Sequence, residues 1–273
     1  MKKRALLSIV FASTLSLCAC DFDIMSLING NEDLNSLLTV SEEKRQELID
    51  SIQNIGVASR DITSFGEGED YSTVSPDKYI ETITEYSDFV SQQIIYPREN
   101  KLIDGYGGEY TTYQLVDDEV YVDGETIPHD DPYYVAYKFL LELYSQTFKT
   151  EYFTFGAIDT MISAELDFVQ KFDPSFSSSF DKEEFMKKIK VVNKKNQGTF
   201  ALVCDQDINF SLMGYDCHTT YLKYEYVDYK LASQLFYEYA DSVSEDGANR
   251  KRSFSVLCYT EFSYNVSPEN FFK

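Results

Sequence analysis

The sequence predicts an α+β fold, an antiparallel sheet with helices on one side. Three observations carry the prediction. Residues 199–210, 217–230 and 252–264 are rich in Tyr, Phe, Val and Thr with polar residues between them, the alternation of half-buried strands. Residues 132–149 and 156–172 instead space their apolar residues as helices do. The resulting order is helix, strands, helices, then strands, which groups the elements as α+β folds do rather than alternating them. At 273 residues and 43% apolar content the chain can bury a substantial core, and a disordered acidic tail is excluded. Its 46 acidic against 24 basic side chains, a net charge of −22, exclude nucleic acid as a natural partner, because phosphates would meet a field of like sign.

The first element is an export signal. Lys2, Lys3 and Arg4 precede an apolar run from Ala5 to Leu17, too short to span a bilayer as a mature helix. The run ends in Leu17-Cys18-Ala19-Cys20, which resembles the lipobox of bacterial lipoproteins: Leu three residues before the modified Cys and a small Ala just before it. The resemblance implies diacylglyceryl transfer to the Cys20 sulfur and cleavage between Ala19 and Cys20. It also implies a chain held by its lipid at the outer face of the bacterial cell membrane. Two acyl chains anchor stably where one is marginal. Cys18 fits less well, with bulky Leu17 before it. The other readings of the leader are an ordinary cleaved signal peptide and an uncleaved N-terminal anchor.

Residues 1–19 are therefore expected to be a signal peptide, 20–36 a lipidated tether and 37–273 a single α+β domain. Loss of Lys2, Lys3 and Arg4 with the leader leaves 21 basic and 46 acidic residues, a net charge of −25. Cys204, Cys217 and Cys258 remain, an odd number, so at least one is unpaired or intermolecular. Cys204 and Cys217 are near enough in sequence to bridge neighbouring strands, and the plainer reading is three small buried apolar residues.

A helix is expected from about Leu38 to Ile55. Thr39 and Glu42 match a capping box, with Ser41 as an alternative cap, and Leu48, Ile49, Ile52 and Ile55 recur at helical spacing. Ser59 to Phe65 reads as a strand. Residues 76–96 carry conflicting signals: Pro76 suits a helix start, whereas Tyr79, Ile80, Thr82, Ile83 and Thr84 favour a strand, and strands are the expectation. Residues 109–127 read as a hairpin turning at Asp117-Asp118, followed by Asp123-Gly124. Residues 132–149 form a helix that is apolar almost all round and so largely buried. A helix at 156–172 presents Ile158, Ile162, Leu166 and Val169 on one stripe, and a short one at 181–190 starts at Asp181. Residues 231–240 suit a strand or a short helix, and 241–250 a turn.

Tyr113-Gln-Leu-Val-Asp-Asp-Glu-Val-Tyr121, a strand, acidic turn and strand, and Phe262-Ser-Tyr-Asn-Val-Ser-Pro-Glu-Asn-Phe271, a strand closing on a Pro-containing segment, resemble the half-barrel family of bacterial lipoprotein carriers. Relatives of that family include lipid-binding lipoproteins of the mycobacterial surface. The resemblance covers residues 38–273. It implies a concave half-barrel sheet closed by helices and holding an acyl chain or another apolar ligand. It transfers no ligand-binding residue, since that family lines its cavity with variable apolar side chains.

The remaining motifs point to no catalytic residue, metal or cofactor. Asp205, Asp207, Asn209 and Asp216 follow a calcium-loop spacing, but Phe210 stands where that loop needs Gly. His129-Asp130-Asp131 and the run Glu67 to Asp70 suit solvated loops, and His129 and His218 are too few for a zinc spacing. Cys217 and His218 are adjacent, so any strand sends them to opposite faces and they form no nucleophile–base pair. The 22 Tyr and 20 Phe are core and rim pairs in the first instance, and a Tyr-lined binding surface in the second. Lys187 to Lys195 and Arg250 to Arg252 balance local acid. The expected function is a cell-envelope lipoprotein with a noncatalytic binding domain for a lipid or other apolar ligand. A surface lipoprotein that binds an envelope protein without a ligand pocket is one alternative, and an unrecognised envelope hydrolase is another.

Overall fold

Asp117 and Asp118 take φ of 48° and 72°, and Asp123 and Gly124 take 51° and 83°. Positive φ at both central residues defines the type I′ turn, whose twist matches that of the strands it joins. Gly107 and Gly108 (63° and 86°) and Asp228 and Tyr229 (49° and 66°) make two more such turns. These four reversals organise an antiparallel sheet. The computed structural model describes residues 40–65, 74–147, 177–178, 188–205, 208–212, 215–243 and 250–273. The leader, the tether and the predicted helix at 156–172 lie outside the described residues, as do Glu67 to Asp70 and most of the predicted helix at 181–190.

Helix α1 (Glu42–Ser51) leads to β1 (Ile55–Phe65). A single 3-10 turn (Pro76–Lys78) runs into α2 (Tyr79–Tyr86). A meander follows: β2 (Ser91–Tyr96), β3 (Lys101–Tyr106), β4 (Glu109–Val116), β5 (Glu119–Val122) and β6 (Glu125–Thr126). Helix α3 (Tyr134–Thr147) precedes β7 (Ser177–Ser178), β8 (Lys190–Asn196), β9 (Thr199–Cys204) and β10 (Ile208–Leu212). Three long strands close the sheet, β11 (Tyr215–Val227), β12 (Lys230–Val243) and β13 (Arg250–Tyr264), and a short helix α4 (Pro268–Phe271) ends the chain.

Among the described residues these strands form one antiparallel sheet of 13 strands, in the order β6-β5-β4-β3-β2-β1-β13-β12-β11-β10-β7. The outer edge of β11 is shared: Tyr215 to Thr219 pair with β10, and Leu222 to Tyr226 pair with β9, which carries β8. The ends of the sheet do not pair with one another, so it is open. The first and last long strands meet along Ile55↔Tyr264 to Phe65↔Phe254. This joins the N-terminal meander to the C-terminal one.

Alternation decides the two faces. Along β13, Phe254, Val256, Cys258 and Phe262 enter the main core, and Leu257 enters a second cluster on the reverse face. The main core also takes Ile55 and Val57 of β1, Phe200 and Leu202 of β9, Tyr224 and Tyr226 of β11, Ile52 just after α1, and Tyr134, Leu140, Leu141 and Tyr144 of α3. On the reverse face, Tyr79 and Ile83 of α2 pack on Leu235, Tyr237 and Leu257, and Phe272 packs on Ile94 and Ile103.

The α+β class and the open antiparallel sheet are as the sequence predicts. The helices are not on one side: α3 lies on the main-core face, whereas α2 and the C-terminal segment lie on the other. The reason is that β2, β12 and β13 are apolar on both faces, so both need cover. Residues 76–86 are likewise helical rather than extended. Their β-branched residues favour a strand, but Tyr79 and Ile83, one turn apart, bury together on the sheet, and that burial outweighs the local preference. Helix α1 is shorter than predicted. It is capped by Ser41, whose hydroxyl accepts from Lys44 N at 3.2 Å, and Ile55 begins β1 instead. Residues 231–240 are strand throughout. Cys204, Cys217 and Cys258 are buried free thiols, which bears out the apolar reading over a bridge.

Candidate functional site

The face covered by α3 carries polar groups that its apolar surroundings make conspicuous. They gather at two stations. The first lies under α3. Tyr144 Oη donates to Gln93 Oε1 of β2 at 2.7 Å, wholly buried. Asp104 of β3 lies beside Gln93. Burial raises its carboxyl above the usual range, and the neighbouring Gln93 amide partly opposes this. Tyr113 of β4 meets Tyr137 of α3 with ring centroids 4.9 Å apart. Burial pushes the hydroxyls of Tyr113 and Tyr144 up, and the Asp104 charge adds to both, so these phenols stay protonated donors.

The second station lies across β1, β13, β12 and β11. Glu238 of β12 is 1% exposed. Cross-strand pairing sets it between Thr219 of β11 and Val256 of β13. Thr219 Oγ1 donates to Glu238 Oε1 at 2.6 Å, and Oε2 has no partner among the described residues. Burial raises the carboxyl well above the usual range, with the Thr219 hydroxyl opposing weakly. Cys258 is the next residue along the same face of β13, opposite Asp61 of β1. Burial pushes its thiol up, and the Asp61 charge adds to this. Such a thiol is the reverse of an activated nucleophile. Ser59 and Thr260 complete the station, their hydroxyls 2.8 Å apart. Asp61 itself is raised by burial, with Thr63 opposing.

At the seam of β2, β3 and α3 there is a shallow notch with a free volume of about 10 Å³, lined by Ile95, Tyr96, Asn100, Lys101, Leu102 and Leu141 among others. It has room for about one water and falls far short of the roughly 300–1,000 Å³ of ordinary small-molecule sites. Tyr144 of the first station is among its lining residues.

The residues singled out from sequence are dispersed. His129 Nε2 lies 3.0 Å from both carboxylate oxygens of Glu119, on the exposed surface, and its ring meets that of Tyr134 at a tilt, centroids 4.5 Å apart. Asp131 Oδ1 accepts from Tyr133 N at the start of α3. Asp205 is exposed and pairs with Lys190, so the basic island does balance local acid there. Asp207 lies outside the described residues, and no metal-holding cluster occurs among the described ones. Cys217 and His218 face opposite ways as expected: Cys217 enters the main core, and His218 stacks on Tyr239 at 4.5 Å. Ala19 and Cys20 lie outside the described residues, and no helix among the described residues is long and apolar enough to cross a membrane.

Sequence reasoning missed both stations. One signal was present for the second. In Leu-Phe-Tyr-Glu-Tyr-Ala (235–240) the alternation sends Glu238 to the same face as Phe236 and Ala240, an acid on an apolar stripe. No known protein family and no curated protein matches the chain.

Proposed function

We propose that the protein is a cell-envelope lipoprotein, held to the outer face of the bacterial membrane by acylated Cys20. We further propose that its domain is a noncatalytic binding domain, which takes an apolar ligand such as a lipid chain against the α3-covered face of a half-barrel sheet. The single observation that carries the reading is the asymmetry of that face. It is a long, buried, apolar sheet surface with hydrogen-bonding groups at two places along it and a shallow notch at the α3 seam. A face that served packing alone would gain from apolar residues at those positions, because a buried polar atom without a partner costs about 1–3 kcal/mol. The notch is small, so an acyl chain enters by displacing α3 from its seat. Two measurements test the reading. Radiolabelled palmitate should label the full chain in a bacterial host, and Cys20→Ser should abolish the label. Native mass spectrometry of the chain released from membranes should show co-purified lipid beyond the covalent anchor. Label surviving in Cys20→Ser contradicts the anchor, and a chain of bare mass contradicts the ligand.

The reverse face supports a second reading. Tyr79, Tyr221, Tyr237, Tyr239 and Tyr259 gather there with α2, and Tyr221, Tyr239 and Tyr259 are only partly buried. Tyr joins apolar area to a hydrogen-bonding tip and is enriched where proteins meet. Pull-down of an envelope protein that Tyr239→Ala and Tyr259→Ala together abolish would favour this reading.

A further inference from the structure

A strip of tyrosines runs from solvent to a half-buried acid that has no counter-charge. Tyr133, just before α3, is 46% exposed. Its ring centroid lies 6.1 Å from that of Tyr137, which lies 4.9 Å from that of Tyr113 on β4. Tyr137 and Tyr113 are half-buried, so the strip is reached from outside. Asp104 of β3, also half-buried, pairs with Thr111, two residues before Tyr113 and on the same face of β4. The Asp104 charge reaches Tyr113 and Tyr144, and that of Asp123 reaches Tyr113 as well. No cation answers them. Asp104 forms no ion pair among the described residues, and its neighbour there is the neutral Gln93 amide. Lys138 of α3 is held by Asp118, and Lys101 of β3 by Glu99.

A carboxylate taken partly out of water without a counter-charge is unfavourable, and beside aromatic rings its complement is a cation that the rings attract too. A metal ion does not suit the place. It needs several oxygen ligands, and no metal-holding cluster occurs among the described residues. A primary ammonium brings three N–H donors, for which one carboxylate is too few. A quaternary ammonium has no N–H to satisfy, and its methyl groups pack on ring surfaces. We propose that Tyr133, Tyr137 and Tyr113 form a binding strip for a quaternary ammonium group, with Asp104 supplying the counter-charge. This goes beyond the lipid-binding reading and does not rest on it. Free choline and the head group of a choline lipid share the chemistry, and the test has an arm for each.

The full chain is purified in a maltoside detergent, and binding is read by ligand-observed saturation-transfer NMR. The probes are choline and its neutral isostere 3,3-dimethyl-1-butanol. The wild-type chain is expected to bind choline about 3- to 10-fold more tightly than the isostere, the ratio that one or two exposed cation–π contacts supply. Asp104→Asn and Tyr133→Ala should each bring the two probes together, whereas Tyr137→Phe, which keeps the ring, should retain the preference. Tyr133 is exposed, so its removal leaves the fold in place, and the wild-type ratio needs no variant. Dihexanoylphosphatidylcholine below its micelle concentration should displace choline. Tighter binding than choline assigns the site to a lipid head group and weaker binding to a free solute, and either supports the proposal. Equal wild-type affinity for choline and the isostere would overturn it, as would a preference that survives unchanged in both Asp104→Asn and Tyr133→Ala.

Discussion

Glu238 sits among Phe236, Ala240 and Val256, and burial holds its carboxyl protonated well above the usual carboxylate range. In the unfolded chain the group ionises near 4.5. In the folded chain it keeps its proton to higher pH. Between those two values the folded state holds one proton more, so stability from this group is complete below about pH 4.5 and is lost as pH rises through the folded-state value. Asp61 and Asp104, both raised by burial, carry the same sign. Glu225 carries the opposite sign: its partial burial is outweighed by hydrogen bonds from Lys223 and Ser233. Comparison with Glu238→Gln isolates the one group. Urea denaturation at a series of pH values above 4.5 should show wild-type stability falling relative to the variant as the pH rises. A difference that does not change with pH would mean that Glu238 is ionised in the folded protein.

At the scale of elements, the C-terminal segment acts as a hook on the reverse face. Asn54 and Val266 exchange hydrogen bonds: Val266 N donates to Asn54 Oδ1 at 2.8 Å, and Asn54 Nδ2 donates to Val266 O at 3.1 Å. These set α4 so that Phe272, 1% exposed, seats on Ile94 and Ile103. Phe271 lies so close to Gly56 that an added Cβ there would meet its ring at 2.7 Å, so any larger residue at that point of β1 would have to push the ring aside. Phe272→Ala should lower unfolding stability by about 3–5 kcal/mol, read from the urea midpoint. A loss under about 1 kcal/mol would mean that the hook is dispensable. The elements were unevenly legible in the sequence. The hairpins were plain because Asp-Asp and Asp-Gly between alternating runs tolerate the positive φ that a type I′ turn requires. Helix α2 was not, because Ile80, Thr82, Ile83 and Thr84 speak for a strand and only the cover of Leu235 and Tyr237 decides otherwise. The stations were hidden for a further reason. Glu238 meets Thr219 through the β11–β12 register, which a bulge between Thr219 and Tyr221 shifts, and no local spacing announces a shifted register.

At the scale of the whole molecule, an open sheet has two faces and two edges to protect. Strand β8, paired only with β9 among the described residues, is exposed at Lys190, Asn193, Lys194 and Lys195, and charged side chains on such an edge discourage pairing with another chain. The reverse face is closed by α2 and the C-terminal hook. The other face is closed in part by α3, with the polar stations beneath and beyond it. The acidic composition fits the proposed address: residues 37–273 carry 21 basic and 42 acidic side chains, a net charge of −21, and an anionic bilayer would repel a domain so charged. Hydrocarbon held on the α3-covered face is the central claim, and one measurement addresses it directly. The full chain in liposomes is irradiated with a diazirine-bearing alkane, and the labelled residues are mapped by peptide mass spectrometry. The account predicts label on Leu141, Leu202, Tyr224, Phe236 and Val256, lost on adding excess unlabelled methyl palmitate. Label confined to Tyr221, Tyr239 and Tyr259 on the reverse face, or to residues 20–36, would contradict it.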